Sequence, residues 1–502
     1  MATVAIEPTG RRPVRTLAHA FARNFMGTAP NWYKQTILAF VVLNVASVAV
    51  LGPVVTSWLI LAQFIFTLSM ALKCYPLQPG GLIAIQAVVL GLVSPEQVYA
   101  EVETGLSVIL LLVFMVAAVY FLKDFLYAAL TKIILGVRSR VALAATMFLS
   151  MAFLSAFLDA LTILAILVTV CATTFEFYAR GIPAHVSAAD RAKRLERFSD
   201  FIRCLLMHSG LGAVIGGVTT LVGQPENVIV GAAVGWDFAT FFRQVDQMSL
   251  PAVAAGLITC LVVEHFKLFG YGHSLPEDAL EAMQNQAAEL KAASTPQYRA
   301  TVLAQAGVCV CLIVALAFHI AEVGLIGLAV IVFASAASGV TDEHRIGKAF
   351  EAGLPFTALL VVFFVVVGMI HEQHLFEPVM AWVLGMQGKT QMVWLYLTNG
   401  ALSAISDNVF VATVYIDQVK AAFEKGLIDR ATLDAMAGAI VMGTGIPAMA
   451  TPNGHAALLF LLTSAIAGMV KLSYTRMIWM CLPFMAVTTT VVAFLLPNPS
   501  GL

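Results

Sequence analysis

The sequence predicts an all-α polytopic membrane protein made of two related halves, on three observations. First, 60% of its 502 residues are hydrophobic and only 11% are charged, with a mean hydropathy of +0.90. A soluble domain carries about 25% charged residues. Second, apolar runs of roughly 20 residues, the length that crosses a ~30 Å hydrocarbon core, recur from end to end. They are unbroken rather than alternating, and a lipid core admits only helices or closed barrels, so they are read as helices. Third, an apolar stretch with a carboxylate inside it occurs twice. LSAFLDALTILAILV at 154–168 returns as LSAISDNVFVATVYI at 402–416. Leu154/Leu402, Ser155/Ser403, Ala156/Ala404 and Asp159/Asp407 match at one offset of 248 positions (407 − 159).

Residues 1–30 read as a polar arm with Arg11, Arg12, Arg15 and Arg23, expected in the cytoplasm. No short apolar stretch with a small-residue cleavage site follows, so the arm is read as retained. Spans are expected near 32–50 and 53–72. The piece at 80–93 is too short to cross comfortably and suits a re-entrant segment. A polar turn with Glu96, Glu101 and Glu103 precedes a span at 106–122, closed by Lys123 and Asp124, and an interfacial helix at 127–137. The Asp159 segment, about 141–175, is too long for one straight crossing and requires a break or hairpin near the acid. The loop at 180–203 is the strongest charge cluster, with Arg180, Arg191, Lys193, Arg194, Arg197 and Arg203 against Asp190, Glu196 and Asp200. A Gly-rich run at 205–222 leads into GQPENVIVG, and a span follows near 250–263. Residues 266–300 are a polar linker in which Ser274-Leu275-Pro276-Glu277 announces a soluble helix at about 277–292.

The membrane halves are thus expected at 31–265 and 301–502. The second has spans near 302–321, 324–337 and 354–370, then the Asp407 segment at about 392–416. A polar loop with Asp417, Lys420, Glu424, Lys425, Asp429, Arg430 and Asp434 follows. The Gly/Pro-broken run GTGIPAMATPNGHAALLF at 443–460 and a last span near 477–496 complete it. The loop after Asp159 has a basic excess and the loop after Asp407 an acidic one. Positive residues favour cytoplasmic loops, so the two loops are expected on opposite sides and the repeats inverted. That plan belongs to transporters that bind at the midplane.

A near-zero net charge gives no nucleic-acid footprint. The seven cysteines are scattered without CxxC spacing and read as small buried hydrophobes. Chemistry rests on the two acids. An ionised carboxylate in the bilayer costs at least about 2.5–3.5 kcal/mol, so Asp159 and Asp407 must face a polar cavity, bind a cation or take a proton. One carboxylate holds H+ or a metal ion but not both, which is the minimum machinery of cation/proton exchange. Hard cations want several oxygen ligands. Ser155, Thr162, Ser403, Ser406, Asn408 and Thr413 stand near the acids in sequence. For each Ser or Thr, a hydroxyl bonded to its own helix is the plainer alternative. Two interruptions, Gln224-Pro225-Glu226-Asn227 and Thr451-Pro452-Asn453-Gly454-His455, follow the acid segments. Proline removes a helix hydrogen bond and frees carbonyls. Each interruption is therefore read as a broken helix aimed at the site, with Glu226, Asn227 and Asn453 as candidate ligands. An extramembrane turn is the alternative. His319 with Glu322, and His455, are lesser candidates for proton handling. Lys123–Asp124 and the run Asp342 to Arg345 read as solvated loop ends.

The segments NWYKQTILAF, SAFLDALT, GQPENVIVG, GLPFTALLVVFFVVVGMI and SAISDNVFVATVYI, with the basic arm and loop, resemble the NhaB family of bacterial Na+/H+ antiporters. The resemblance runs over nearly the whole chain and lies within the ion transporter superfamily. It implies two inverted repeats with re-entrant hairpins, scaffold and transport regions, and a homodimer. It also implies export of Na+ (and of Li+) in exchange for H+ by a multi-pass protein of the bacterial inner membrane with a cytoplasmic N-terminus. Through FLDALT it places cation binding on Asp159. It puts Asp407 and Asn408 where relatives carry a Ser-Asn-Thr type site. Na+ at Asp159 and Asp407 is then a transported ion, and no organic cofactor is expected. One rival is a Na+-coupled carboxylate symporter of the same architecture. It would benefit from an intramembrane Arg or Lys that the central segments lack. Another is an intramembrane aspartyl protease, whose GxGD motif is replaced here by Ile405-Ser406 before Asp407. A passive channel would move Na+ without protons.

Overall fold

The computed structural model describes residues 16–498 except 184, 293, 352 and 387, so Arg11, Arg12 and Arg15 of the expected arm lie outside the described residues. Every regular element among the described residues is helical. The chain opens with α1 (Leu17–Asn24), α2 (Asn31–Val50), α3 (Pro53–Ser69), α4 (Leu77–Val89), α5 (Pro95–Thr104), α6 (Leu106–Tyr120) and α7 (Lys123–Gly136). The polar turn expected around Glu96–Glu103 is instead helix α5. Ser94 caps it by accepting from the Gln97 N–H, and Pro95 opens it with a ring-fixed φ. Lys123 and Asp124 are not loop ends but the first turn of α7. Lys123 lies 4.0 Å from the Tyr120 ring centroid, and Asp124 accepts from Gln305 Nε2 at 3.2 Å.

Next come α8 (Arg140–Ser155), α9 (Ala160–Gly181), α10 (Ala188–Gly217), α11 (Pro225–Val234) and α12 (Phe238–His265). The charged loop expected at 180–203 shrinks to the connection 182–187. Its remainder is the outer part of the 30-residue α10, capped by Ser187. At about 45 Å, α10 is longer than a hydrocarbon core is thick, so its charged turns project beyond it. Arg203, the innermost of these charges, is buried but bonded to Asp200 (2.7 Å) and to the Val470 carbonyl (2.9 Å).

The expected soluble helix is α13 (Glu277–Ala292). The second half holds α14 (Pro296–Ala317), α15 (Val323–Ala337), α16 (Glu343–Phe350), α17 (Leu354–Glu372), α18 (Glu377–Leu384), α19 (Gly388–Ile405), α20 (Asn408–Glu424) and α21 (Arg430–Gly445). Two 3-10 turns follow (Pro447–Ala450 and Pro452–Gly454), then α22 (Ala456–Thr463), α23 (Ala465–Met469) and α24 (Tyr474–Leu495). The polar loop expected at 417–434 is only 425–429. α20 continues to Glu424 with Asp417 inside it, and α21 starts under an Asp429 cap. Among the described residues, eight helices are long and apolar enough to cross a membrane, or nine if α5 and α6, bent by 54°, form one span.

Both acid segments fold back as hairpins. At the start of α8, Arg140 Nη1 donates to the Gly272 carbonyl (3.0 Å). At the end of α9, Tyr178 donates to Asp278 (2.6 Å). Gly272 and Asp278 are six residues apart, at most about 21 Å, whereas α8 and α9 laid end to end would run about 57 Å. In the second half, α18 holds both ends of the other hairpin: Gln391 at the start of α19 bonds to the Val383 carbonyl (3.1 Å), and Lys425 after α20 pairs with Glu377 (3.4 Å). An eight-residue helix is only about 12 Å long.

The hairpins enter from opposite ends. Helix α12 runs about 42 Å between those ends. Near its C-terminus Glu264 pairs with Arg140 of α8 (3.3 Å). Just before its N-terminus, Trp236 donates to Asp434 of α21 (2.9 Å). The later helices run in opposite senses too. α10 starts beside α13 (Arg194–Asp278, 3.4 Å) and leads to α11, which ends beside α21. The path from α21 through α23 ends back on α10, where Ser199 donates to the Met469 carbonyl (3.1 Å). The repeats are therefore inverted. Their packing matches in detail: a Cβ on Gly212 of α10 would lie 2.3 Å from the Phe148 carbonyl oxygen of α8, and one on Gly443 of α21 would lie 2.8 Å from that of Tyr396 on α19. Phe148 and Tyr396 are 248 positions apart (396 − 148), Gly212 and Gly443 231 (443 − 212).

Candidate cation site

Each acid sits at a hairpin tip, because an aspartate outside helical φ/ψ accepts the free N–H groups of the turn that follows. Asp159 Oδ2 accepts from the Thr162 N–H and hydroxyl, both at 2.9 Å. Asp407 Oδ1 accepts from the N–H groups of Val409 (2.9 Å) and Phe410 (3.3 Å). Both carboxylates are half-buried at the positive ends of α9 and α20, which favours negative charge there.

The breaks lie against the tips. Thr220, in the gap between α10 and α11, donates to the carbonyl of Ala156 at the first tip. Thr451, in the gap between α21 and α22, donates to the carbonyl of Ala404 at the second. This fixes the repeat frame and corrects the pairing of the two Pro-containing stretches. The equivalent segments are VTTLVGQ (218–224) and MATPNGH (449–455), at an offset of 231 (451 − 220). Thr220 matches Thr451, Gly223 matches Gly454, and Gln224 matches His455. Pro225 starts α11, whereas Pro452 lies within the break. Contact geometry rather than proline sets the frame: a Cβ on Gly223 or Gly454 would meet the carbonyl oxygen of Gly217 (2.3 Å) or Ala448 (2.2 Å). The matched pair Gln224 and His455 touch each other, Nε2 to Nε2, at 3.1 Å.

The repeats then cross. α11 packs on α20, and α22 packs on α9. Glu226, in the first turn of α11 and only 3% exposed, accepts from Asn408 Nδ2 at 3.0 Å. Asp159 and Asp407 are both within electrostatic reach of it. Asn227 donates to the carbonyls of Gly217 (2.9 Å) and Thr220 (2.7 Å). Asn453 donates to the Ser69 carbonyl at the end of α3 (2.6 Å). Ser403 has only a long bond to Asn399 Oδ1 (3.5 Å). Among the described residues, five buried side-chain oxygens at these tips and breaks have no hydrogen-bond partner: Ser155 Oγ, Gln224 Oε1, Asn227 Oδ1, Asn408 Oδ1 and Asn453 Oδ1. Carboxylate and amide oxygens with a hydroxyl suit a hard cation.

Other candidates are not brought here. Ser406 and Thr413 bond to the carbonyls of Leu402 and Val409 in or beside their own helices. His319 and Glu322 are exposed in the α14–α15 connection. Gln224 and Thr451 belong to the two interruptions expected at the site but not to its candidate ligands, and Thr220 lies outside both, although the Thr-x-x-Gly match at offset 231 is visible in the sequence.

Residues 14–497 match the sequence model of the family described as Bacterial Na+/H+ antiporter B (NhaB). Similar proteins named Na(+)/H(+) antiporter NhaB include one from Marinomonas sp. (strain MWYL1), 50% identical over 488 residues, covering 95% of this chain and 98% of that protein. One from Pseudomonas entomophila (strain L48) is 50% identical over 485 residues, 94% of this chain and 97% of its own. One from Serratia proteamaculans (strain 568) is 47% identical over 491 residues, 95% and 93%.

Proposed function

The chain belongs to the NhaB family of bacterial Na+/H+ antiporters, and from that premise we propose how it exchanges Na+ (and Li+) for H+. It is a transporter rather than an enzyme, Na+ and H+ are its substrates, and no cofactor takes part. Asp159 and Asp407 hold Na+ at the two tips. Thr162 keeps Asp159 oriented, and Ser155, Ser403, Asn227, Asn408 and Asn453 supply oxygens, with Glu226 as a third carboxylate between the repeats. The observation that supports this most is the set of five buried oxygens without donors. An unsatisfied buried polar group costs about 1–3 kcal/mol, and a desolvated cation among them removes that cost. Protons arriving from the other side neutralise the carboxylates and displace the ion. The site region moves past the remaining helices, and the proton gradient drives the cycle.

Positive residues support one orientation. The end holding Lys132, Arg138, Arg140, Arg191, Lys193, Arg194, Arg197 and Lys471 is taken as cytoplasmic, and the end with Arg243, Lys389, Lys425 and Arg430 as external. α2 then starts on the cytoplasmic side. Family resemblance extends this to the inner membrane and a homodimer, with halves at 31–265 and 301–502 joined by 266–300. A carboxylate symporter fits less well, because the site gathers three carboxylates and no Lys or Arg.

The test uses inside-out vesicles acidified by respiration and followed with a pH-sensitive dye. NaCl and LiCl should alkalinise the lumen, and Asp159→Asn or Asp407→Asn should abolish the response at normal expression. Full exchange by Asp159→Asn would sink the site. Uptake of a dicarboxylate that needs Na+, with no response to cations, would replace antiport with symport.

A further inference from the structure

Away from the tips, one cluster of ligating side chains joins three helices. Glu101 of α5, His371 of α17 and Asp417 of α20 place one ligand atom each within 4.8 Å of one another. His371 Nδ1 lies 2.7 Å from Glu101 Oε1, and His371 Nε2 lies 3.7 Å from Asp417 Oδ2. Gln97 Nε2 also donates to Glu101 Oε1 (2.7 Å), so that carboxylate is held in place. Asp417 Oδ2 is a buried oxygen with no hydrogen-bond partner, aimed at the imidazole. The nearby cation, Lys420, pairs with Glu424 instead (3.9 Å). The side chains of His371 and Asp417 keep 27% and 20% of their surface, so the cluster is not sealed within the protein.

We propose that Glu101, His371 and Asp417 bind a divalent transition-metal ion of the Zn2+ class, tying α20 to α5 and α17. One imidazole nitrogen with two carboxylates is a borderline donor set that suits Zn2+, Co2+ or Ni2+ and not Na+. Ligand bonds of 2.0–2.2 Å in a tetrahedron separate donor atoms by about 3.4 Å. The donor atoms, within 4.8 Å of one another, must close by up to about 1.4 Å (4.8 − 3.4). Because Glu101 lies on Nδ1 and Asp417 on Nε2, one carboxylate must swing to the nitrogen that binds the ion; water fills the fourth position. Asp417 lies ten residues along α20 from Asp407, about 15 Å away, so this is not the transport site. α20 is an arm of the second hairpin, and α17, which it packs on, packs in turn on α4 and α5. The bound ion therefore fastens the hairpin to helices outside the repeat crossing. Inhibition of transport by that ion rests on the movement proposed above; binding of the ion does not.

Tag-free purified protein is titrated with Co2+ and read by its visible absorption, with Zn2+ as competitor. One Co2+ per chain is expected, with affinity reduced at least tenfold in His371→Ala and in Glu101→Gln. No Co2+ spectrum in the wild type, or an unchanged one in both variants, would overturn the site. In proteoliposomes with Zn2+ on both faces, Zn2+ should block Na+/H+ exchange in the wild type and spare His371→Ala. Bound Co2+ with exchange insensitive to Zn2+ would overturn the clamp.

Discussion

Gly216→Ala tests whether the close packing of α8 on α10 sets the position of Asp159. A Cβ at Gly216 would lie 2.3 Å from both the Cα and the carbonyl oxygen of Ala152. Ordinary contact begins at 3.4 Å, so the helices must part by about 1.1 Å (3.4 − 2.3). The obstacle is backbone, which cannot rotate aside, and overpacking of this kind costs about 1–3 kcal/mol. Ala152 stands three residues before Ser155 and seven before Asp159, and the Thr220–Ala156 bond joins the chain just beyond the same two helices. The displacement therefore reaches the carboxylate. Misplacing a functional group by 1 Å can lower a rate by about 10²-fold, so the apparent Na+ affinity in the vesicle assay should fall roughly 10- to 100-fold. The thermal midpoint in detergent should drop as well. Gly307→Ala is the control: it lies in the middle of α14 with no atom within 4 Å of its would-be Cβ. It should leave exchange unchanged and add up to about 1 kcal/mol through helix propensity. Wild-type Na+ dependence and melting in Gly216→Ala would refute the reasoning.

Four further outcomes follow from particular residues. Thr220→Val and Thr451→Val keep the shape but remove the donor to a buried tip carbonyl. An unsatisfied group costs about 1–3 kcal/mol, so Na+ affinity should weaken roughly 5- to 150-fold, with Thr→Ser restoring it in the same dye assay. Asp190→Cys and Lys425→Cys should react with a membrane-impermeant maleimide from opposite sides of the membrane, and labelling from one side would overturn the inversion. Glu264 is buried against Arg140 (3.3 Å), His208 (3.0 Å) and the Gly272 N–H (3.1 Å). Glu264→Ala should therefore destabilise the protein by about 3–5 kcal/mol in detergent melts. Glu176→Ala, which removes an exposed pair with Arg180, should change stability by at most about 0.5 kcal/mol.

Where the sequence was read correctly, a local signal existed. The apolar runs, the break at Asp159 and the helix at 277–292 all follow from local patterns. Where expected loops are helices instead, one cause is shared: polarity does not mean loop. The outer part of α10, AADRAKRLERFSDFIR, is rich in strong helix formers, and VYIDQVKAAFE carries α20 past Asp417 in the same way. Hydropathy measures what a segment prefers as solvent, and helices continue beyond the lipid. At the site, the two tips were legible because one offset aligns them. The bond from Asn408 to Glu226 was not, because it joins residues 182 positions apart from different repeats. No local pattern encodes a crossing created by packing α11 on α20.

That crossing bears on how the ions move. Each tip carbonyl is bonded to a threonine of its own repeat's break, and each helix beyond a break packs on the other repeat's hairpin. Gln224 and His455 join the two breaks. Moving the first hairpin alone would sever Thr220–Ala156 and open the contact of α22 with α9. Moving the second alone would sever Thr451–Ala404 and Asn408–Glu226. Each severed buried bond leaves groups unsatisfied at about 1–3 kcal/mol apiece. Moving the whole crossing past α3 and α17 keeps all of these bonds and breaks contacts at its edges instead, including Asp417 with His371 at α17 (3.7 Å). At α3 these are Asn453 to the Ser69 carbonyl and Ser69 to the Ile405 carbonyl, each at 2.6 Å. Apolar faces such as Phe64 and Phe363 against Phe410 can slide without leaving a donor unpaired, which is the usual shear of packed helices. Under the movement proposed above, this motion would keep both aspartates and Glu226 in one rigid body, and the two tips would change sides together.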